Sequence, residues 1–180
     1  MYHNKFSSIL QNLINTNFFY HIIMSAQTEE RWVHGNSIDI NRPEFLWYFR
    51  TFQYFYFELF LGQIYTRLFA SIPAPDPTKG WKVKSLMLRY SISAPFSEFG
   101  ISGTISAIGV FDGERHLWST TLNRGLTNGF QILKVDLPEP TNYNYGLAVS
   151  INPKYEYIYG APWYTEFYIS SVGIEFLRAN

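Results

Sequence analysis

The chain has 180 residues, long enough for one domain with its own core, and 47% of them are hydrophobic against 16% charged. That balance excludes long disorder, because the apolar surface can offset the entropy of the chain. Lys plus Arg and Asp plus Glu both total 14 with no basic run, so a nucleic-acid or acidic-membrane surface is not expected. Cysteine is absent, which removes disulfides, thiolate zinc sites and cysteine nucleophiles and slightly favours a cytoplasmic setting over a secreted one.

Residues 1–26 read as an N-terminal extension distinct from a domain spanning 27–180. Phe6, Ile9, Leu10, Leu13, Ile14 and Phe18 fall on one face of a short helix. A signal peptide cut near Ser25-Ala26 competes, but Gln11, Asn12, Asn15, Thr16 and Asn17 interrupt its apolar run. The favoured expectation is that Met24 is the natural start and the preceding residues are an upstream extension. No uninterrupted apolar stretch reaches about 18 residues, so no transmembrane helix is expected.

From Arg31 onward the apolar period is two, the mark of strands with one face on a core. Strands are expected near 31–40, 54–61, 64–72, 82–93, 103–111, 115–121, 129–137, 144–152 and 164–177. Leu86, Leu88, Tyr90 and Ile92 form one inward set, Tyr145, Leu147, Val149 and Ile151 another, and Tyr168, Val172, Ile174 and Phe176 a third. Residues 42–61 are ambiguous: they begin as a helix or a bulged strand, and their aromatics leave few polar positions. Pro73, Pro75 and Pro77 predict a rigid extended link, and Asn128-Gly129 and Pro138-Glu139-Pro140 two further breaks. Asp112-Gly113 predicts a hairpin with a type I′ turn. Together these predict an all-β, antiparallel β-sandwich of jelly-roll or immunoglobulin kind.

Several segments in order resemble one another's counterparts in a family of small, functionally uncharacterised bacterial proteins. These are Trp32-Val33-His34-Gly35-Asn36, Ile72-Pro73-Ala74-Pro75, Ile105 to Gly113, Tyr145 to Ser150 and Val172 to Phe176. The resemblance covers roughly residues 31–177 and implies a β-sandwich. It implies no activity and no catalytic residue, and the chain departs from the pattern in its aromatic 42–61 segment and at Ala74.

No catalytic motif has the required spacing, so a non-catalytic protein is expected. His34 and His116, even with Asp112 or Glu114, sit on separate strands and read as structural rather than as a metal site. Glu156 and Glu166 could face each other as a carboxylate pair but read as solvated. No cofactor is expected. The segment Tyr155 to Tyr164 is the strongest candidate for binding, because Tyr157, Tyr159, Trp163 and Tyr164 carry flat apolar faces with polar edges suited to a sugar ring. Packing under the loop or against a second copy competes with ligand stacking and is favoured over it. The expected partners are thus a glycan or the chain itself; a structural, self-assembling subunit is the alternative to a ligand-binding module.

Overall fold

The computed structural model describes residues 26–41, 47–50, 53–60, 66–93, 103–155 and 164–178. The strands are β1 (Gln27–His34), β2 (Ile38–Ile40), β3 (Trp47–Arg50), β4 (Phe55–Phe60), β5 (Leu68–Ile72), β6 (Trp81–Ser93), β7 (Gly103–Asp112), β8 (Arg115–Arg124), β9 (Gln131–Thr141), β10 (Leu147–Tyr155) and β11 (Tyr164–Arg178). The expected N-terminal helix falls on residues outside this description.

Two sheets form, with every strand pair antiparallel. The first runs β3-β4-β11-β6-β9, with β1 also paired to β11, and the second runs β2-β5-β10-β7-β8. Most connections cross from one sheet to the other, in the manner of a jelly roll. The inward faces meet in a continuous core. Phe55, Phe57, Leu86, Leu88, Ile92, Phe167, Val172, Ile174 and Phe176 come from the first sheet, and Ile38, Leu68, Ile108, Val110, Val149 and Ile151 from the second. Phe57 and Phe167 stack with centroids 4.7 Å apart, as cross-strand neighbours can.

Several expectations are corrected in detail. The run expected as one strand over 31–40 is divided between the sheets by a 3-10 turn at Gly35–Ser37. Pro138 and Pro140 do not break β9, which continues through them. It is the outer strand of its sheet, where a missing N–H costs no ladder bond. Tyr168 does not share the inward face of Val172, Ile174 and Phe176. The pairing of β11 with β6 slips between Ile169 and Ser171, and this bulge moves the inward set from Thr165, Phe167 and Ile169 to Val172, Ile174 and Phe176. Tyr145 is exposed in the turn before β10, outside the inward set.

The hairpin at Asp112 is present, but its turn differs. Asp112 pairs with Arg115, so Gly113 and Glu114 are the central residues. Gly113 alone has positive φ, +59°, which is the pattern of a type II′ turn rather than type I′. Asp112 is buried, and besides accepting from Arg115 within the hairpin it holds the 142–146 turn: its carboxylate accepts from the backbone N–H of Asn144 at 2.9 Å and of Tyr145 at 2.6 Å. Tyr143, in the same turn, donates its buried hydroxyl to the carbonyl of Pro75 at 2.7 Å. Burial pushes that phenol up to about 12, so it stays a neutral donor at ordinary pH.

A charged cluster lies on the outer face of the first sheet. Glu175, Ser85 and Asp136 are lateral neighbours on β11, β6 and β9. Lys84 and Lys134 reach Glu175 at 3.2 and 3.1 Å, and Ser85 Oγ lies 2.7 Å from it. Burial works to raise the Glu175 pKa, but the bonds from Ser85, Lys134 and Lys84 outweigh it and hold the carboxyl below its ordinary value of 4.5. A carboxyl with a depressed folded-state pKa stabilises above its unfolded pKa, and that contribution is lost as pH falls through the folded value. Glu175→Gln should therefore lower the urea midpoint at pH 7, by an amount that shrinks as the pH is lowered through the acid range; an equal loss at every pH would refute the linkage.

Candidate functional site

The second sheet carries a trough on its outer face. Strand registry places Phe69, Ser150, Gly109 and Ser119 side by side across β5, β10, β7 and β8. Laterally paired residues point to the same face, so Ser150, Gly109 and Ser119 form a floor of small groups. Gly109 is required there. A Cβ at that position would fall 2.9 Å from Ser119 Cβ and 3.1 Å from both Ser150 Oγ and the Trp118 carbonyl oxygen.

Larger groups rise on either side. The next row carries Phe111 and, one strand over, His116, whose rings meet edge to face at 5.1 Å. Phe69 also contacts Phe111 edge to face, at 5.9 Å. On the other flank, Asn152 lies opposite Ala107, and Arg67 precedes β5. The enclosed space is about 300 Å³ and is lined by Arg67, Ala107, Phe111, His116, Ser119, Ser150 and Asn152 among others.

The polar groups of this trough are underused by the fold. Asn152 Oδ1 is buried without a hydrogen-bond partner. Ser150 is 4% exposed and presents its hydroxyl on the trough face. The guanidinium of Arg67 has no ion pair among them, and no Asp or Glu lines the trough. Buried polar atoms left unsatisfied cost free energy unless a ligand or water takes them up. The β7–β10 pairing slips between Asn152 and Pro153, where Ser106 Oγ donates to the Asn152 carbonyl at 2.9 Å. The extra residue of that slip is Ser106 on β7, and Asn152 faces the trough by simple alternation with Ser150 along β10.

The first sheet has a different outer face, rich in rings. Tyr168 contacts Tyr54 at 5.1 Å and Tyr56 at 5.0 Å, and Tyr54 lies 6.4 Å from Phe130. The guanidinium of Arg89 sits 5.7 Å from the Phe130 ring centroid, within cation–π range. Glu166 accepts from Ser93 at 2.7 Å and Tyr168 at 2.9 Å. These tyrosines are half-buried and engaged with one another.

Tyr157, Tyr159 and Trp163 lie outside the described residues, as does Glu156. Tyr164 opens β11 and pairs with Phe60. The loop that carries them follows directly on β10, the strand that supplies Ser150 and Asn152 to the trough. His34 caps the 3-10 turn by accepting from the N–H of Asn36 at 3.4 Å. His116 lines the trough and packs its ring edge to face on Phe111. No group of three or more His, Asp or Glu side chains is placed to hold a metal among the described residues. No helix among them is long and apolar enough to cross a membrane. Sequence reasoning missed the trough. Its signals were Gly109 within an apolar strand, a mark of close approach, and the small residues Ala148 and Ser150 alternating with Val149 and Ile151.

No family model matches the chain, and no curated protein matches it. Solved structures do. A variant of a family 29 carbohydrate-binding module complexed with cellulohexaose superposes with a TM-score of 0.50 at 6% identity, over 83% of this chain and 92% of that one. Another family 29 module gives 0.47 at 6% identity, over 83% and 89%. A Stig cyclase, Fisc from Fischerella sp. TAU, gives 0.42 at 11% identity, over 83% and 90%. The first of these shares the fold of this chain: the protein is an antiparallel β-sandwich of the architecture found in carbohydrate-binding modules.

Proposed function

We propose that this chain is a non-catalytic glycan-binding module whose ligand lies in the trough of the second sheet. The observation that carries the reading is the trough itself. A floor of small residues is bordered by the Phe111 ring and by hydrogen-bonding groups of Ser150, Asn152 and Arg67, of which Asn152 Oδ1 has no hydrogen-bond partner and Arg67 no ion pair among the described residues. Sugars present the complementary surface, an apolar ring face edged with hydroxyls. The fold neighbour solved with cellulohexaose supports the same class of ligand. The rings of Tyr157, Tyr159, Trp163 and Tyr164 stay a proposed further contact on their chemistry alone, flat apolar faces with polar edges. A second reading, assembly of copies through the outer face of the first sheet, draws on Phe130 and on Ile132, which is 69% exposed.

Titration with a panel of soluble oligosaccharides tests the first reading. Ser119 is exposed on the outer strand β8, so Ser119→Tyr should fill the trough and abolish binding without lowering the unfolding midpoint. Phe111→Ala should weaken binding about fivefold or more, the value of roughly 1 kcal/mol for one well-placed ring. If neither variant changes binding, the trough is not the site. Light scattering on wild type and Ile132→Lys addresses assembly: a particle mass that is monomeric for both would discard the second reading.

A further inference from the structure

We infer that the trough selects a sugar carrying a carboxylate, a hexuronic acid, over a neutral hexose; the inference rests on the glycan-binding reading above. Three features of the trough converge on this ligand. Arg67 is exposed at its rim and has no ion pair among the described residues. Arg31, Arg50 and Arg115 are each paired with a carboxylate, and Arg89 and Arg178 lie over rings; Arg67 has neither kind of partner among the described residues and stands beside the trough. Among the described residues the lining contains Arg67 and His116 but no acidic side chain; Asp39, beside Phe69 in the same row, is exposed and paired with Arg50.

The second feature is the fork geometry of arginine. A guanidinium presents parallel N–H donors that match the two oxygens of a carboxylate. By extension of the Leu68–Ile151 pairing, Arg67 falls beside Asn152, whose buried Oδ1 is unpaired. A ligand carboxylate at Arg67 would place a neighbouring ring hydroxyl where it can donate to that oxygen. The third feature is size. Ser150, Gly109 and Ser119 leave a floor one ring wide between the Arg67–Asn152 flank and the Phe111–His116 flank. The volume of about 300 Å³ exceeds what a bare inorganic anion needs. Charge at one end and an aromatic wall at the other describe an acidic pyranose rather than a free phosphate.

Calorimetric titration of the full chain with sodium glucuronate, sodium galacturonate, glucose and inorganic phosphate tests this. At least one uronate should bind at least tenfold more tightly than glucose and than phosphate. Arg67→Gln should erase the preference, and Arg67→Lys should retain part of it, because it keeps the charge and loses the fork. Arg67 is exposed and its backbone N–H bonds Asn41, a contact both substitutions preserve. Glucose binding as tightly as the uronates, with both lost in Ser119→Tyr, would overturn the acid preference and leave the glycan reading intact. Phosphate binding as tightly as a uronate would overturn it in favour of a simple anion site. Oligosaccharides and uronates both failing to bind the folded wild type would overturn the two readings together.

Discussion

Gly35→Ala is expected to destabilise the domain by about 3 kcal/mol or more, at the upper end of overpacking penalties. Gly35 is buried in the 3-10 turn that carries the chain from β1 in the first sheet to β2 in the second. A Cβ there would overlap the carbonyl oxygen of Ile169 and come within 2.9 Å of the Ile169 carbonyl carbon and the Phe55 nitrogen. All three are backbone atoms. Ile169 and Phe55 are also paired with each other across β11 and β4, so neither can retreat without opening the ladder beside the core. Gly146→Ala is the matched control, since nothing lies within 4 Å of its added methyl and its φ is not positive. It should stay within about 0.5 kcal/mol of wild type. Urea unfolding of both variants decides the matter; a Gly35→Ala midpoint equal to that of Gly146→Ala would show that the turn can shift.

Asp112→Ala should cost about 3 kcal/mol through a different mechanism. The Asp112 side chain is 0% exposed, and Arg115 lies 3.0 Å from it. Its two oxygens also accept from Asn144 and Tyr145, while the N–H of Gly113 bonds the Gly146 carbonyl at 2.9 Å. Hydrogen bonds to a charged acceptor are worth about 1.5–3 kcal/mol each, and truncation leaves their donors unmatched. Asp112→Asn should cost less, because its amide oxygen still accepts while its NH₂ group faces a backbone donor. The effect reaches the site as well. Asp112 holds the β7–β8 hairpin against the 142–146 turn, and that hairpin carries Phe111, His116 and Ser119. If the trough binds a glycan as proposed, Asp112→Asn should thus weaken that binding along with stability, whereas Gly146→Ala should change neither. Chemical unfolding and ligand titration on the same samples provide the check. A variant that loses stability at full affinity would separate the latch from the trough.

Most of the architecture was legible along the chain. The alternation of Leu86, Leu88, Tyr90 and Ile92 with more polar neighbours determined a strand and its buried face. The turn residues Gly113 and Gly129 both adopt positive φ, as residues without a Cβ can. The proline-rich link stayed outside the sheets. Period two, turn chemistry and composition are local properties, so they determined an all-β sandwich.

What tertiary structure alone decided is lateral. Alternation says which side of a strand is buried but not which strand lies beside it, so no local signal brings Arg67, Gly109, His116 and Ser150 to one trough. The positions where the inward set changed phase, among them Ser170 in β11, Lys84 in β6 and Ser106 in β7, depend on bulges, and a bulge is an agreement between two strands. Pro138 and Pro140 looked like breaks because proline removes a ladder donor. The place of β9 at the outside of its sheet, and the slip that leaves residues 137–140 without partners on β6, made that loss harmless. The trough itself follows the same rule. Its floor exists because small residues on three strands, each unremarkable in its own segment, are brought into register by hydrogen bonds between segments far apart in the chain.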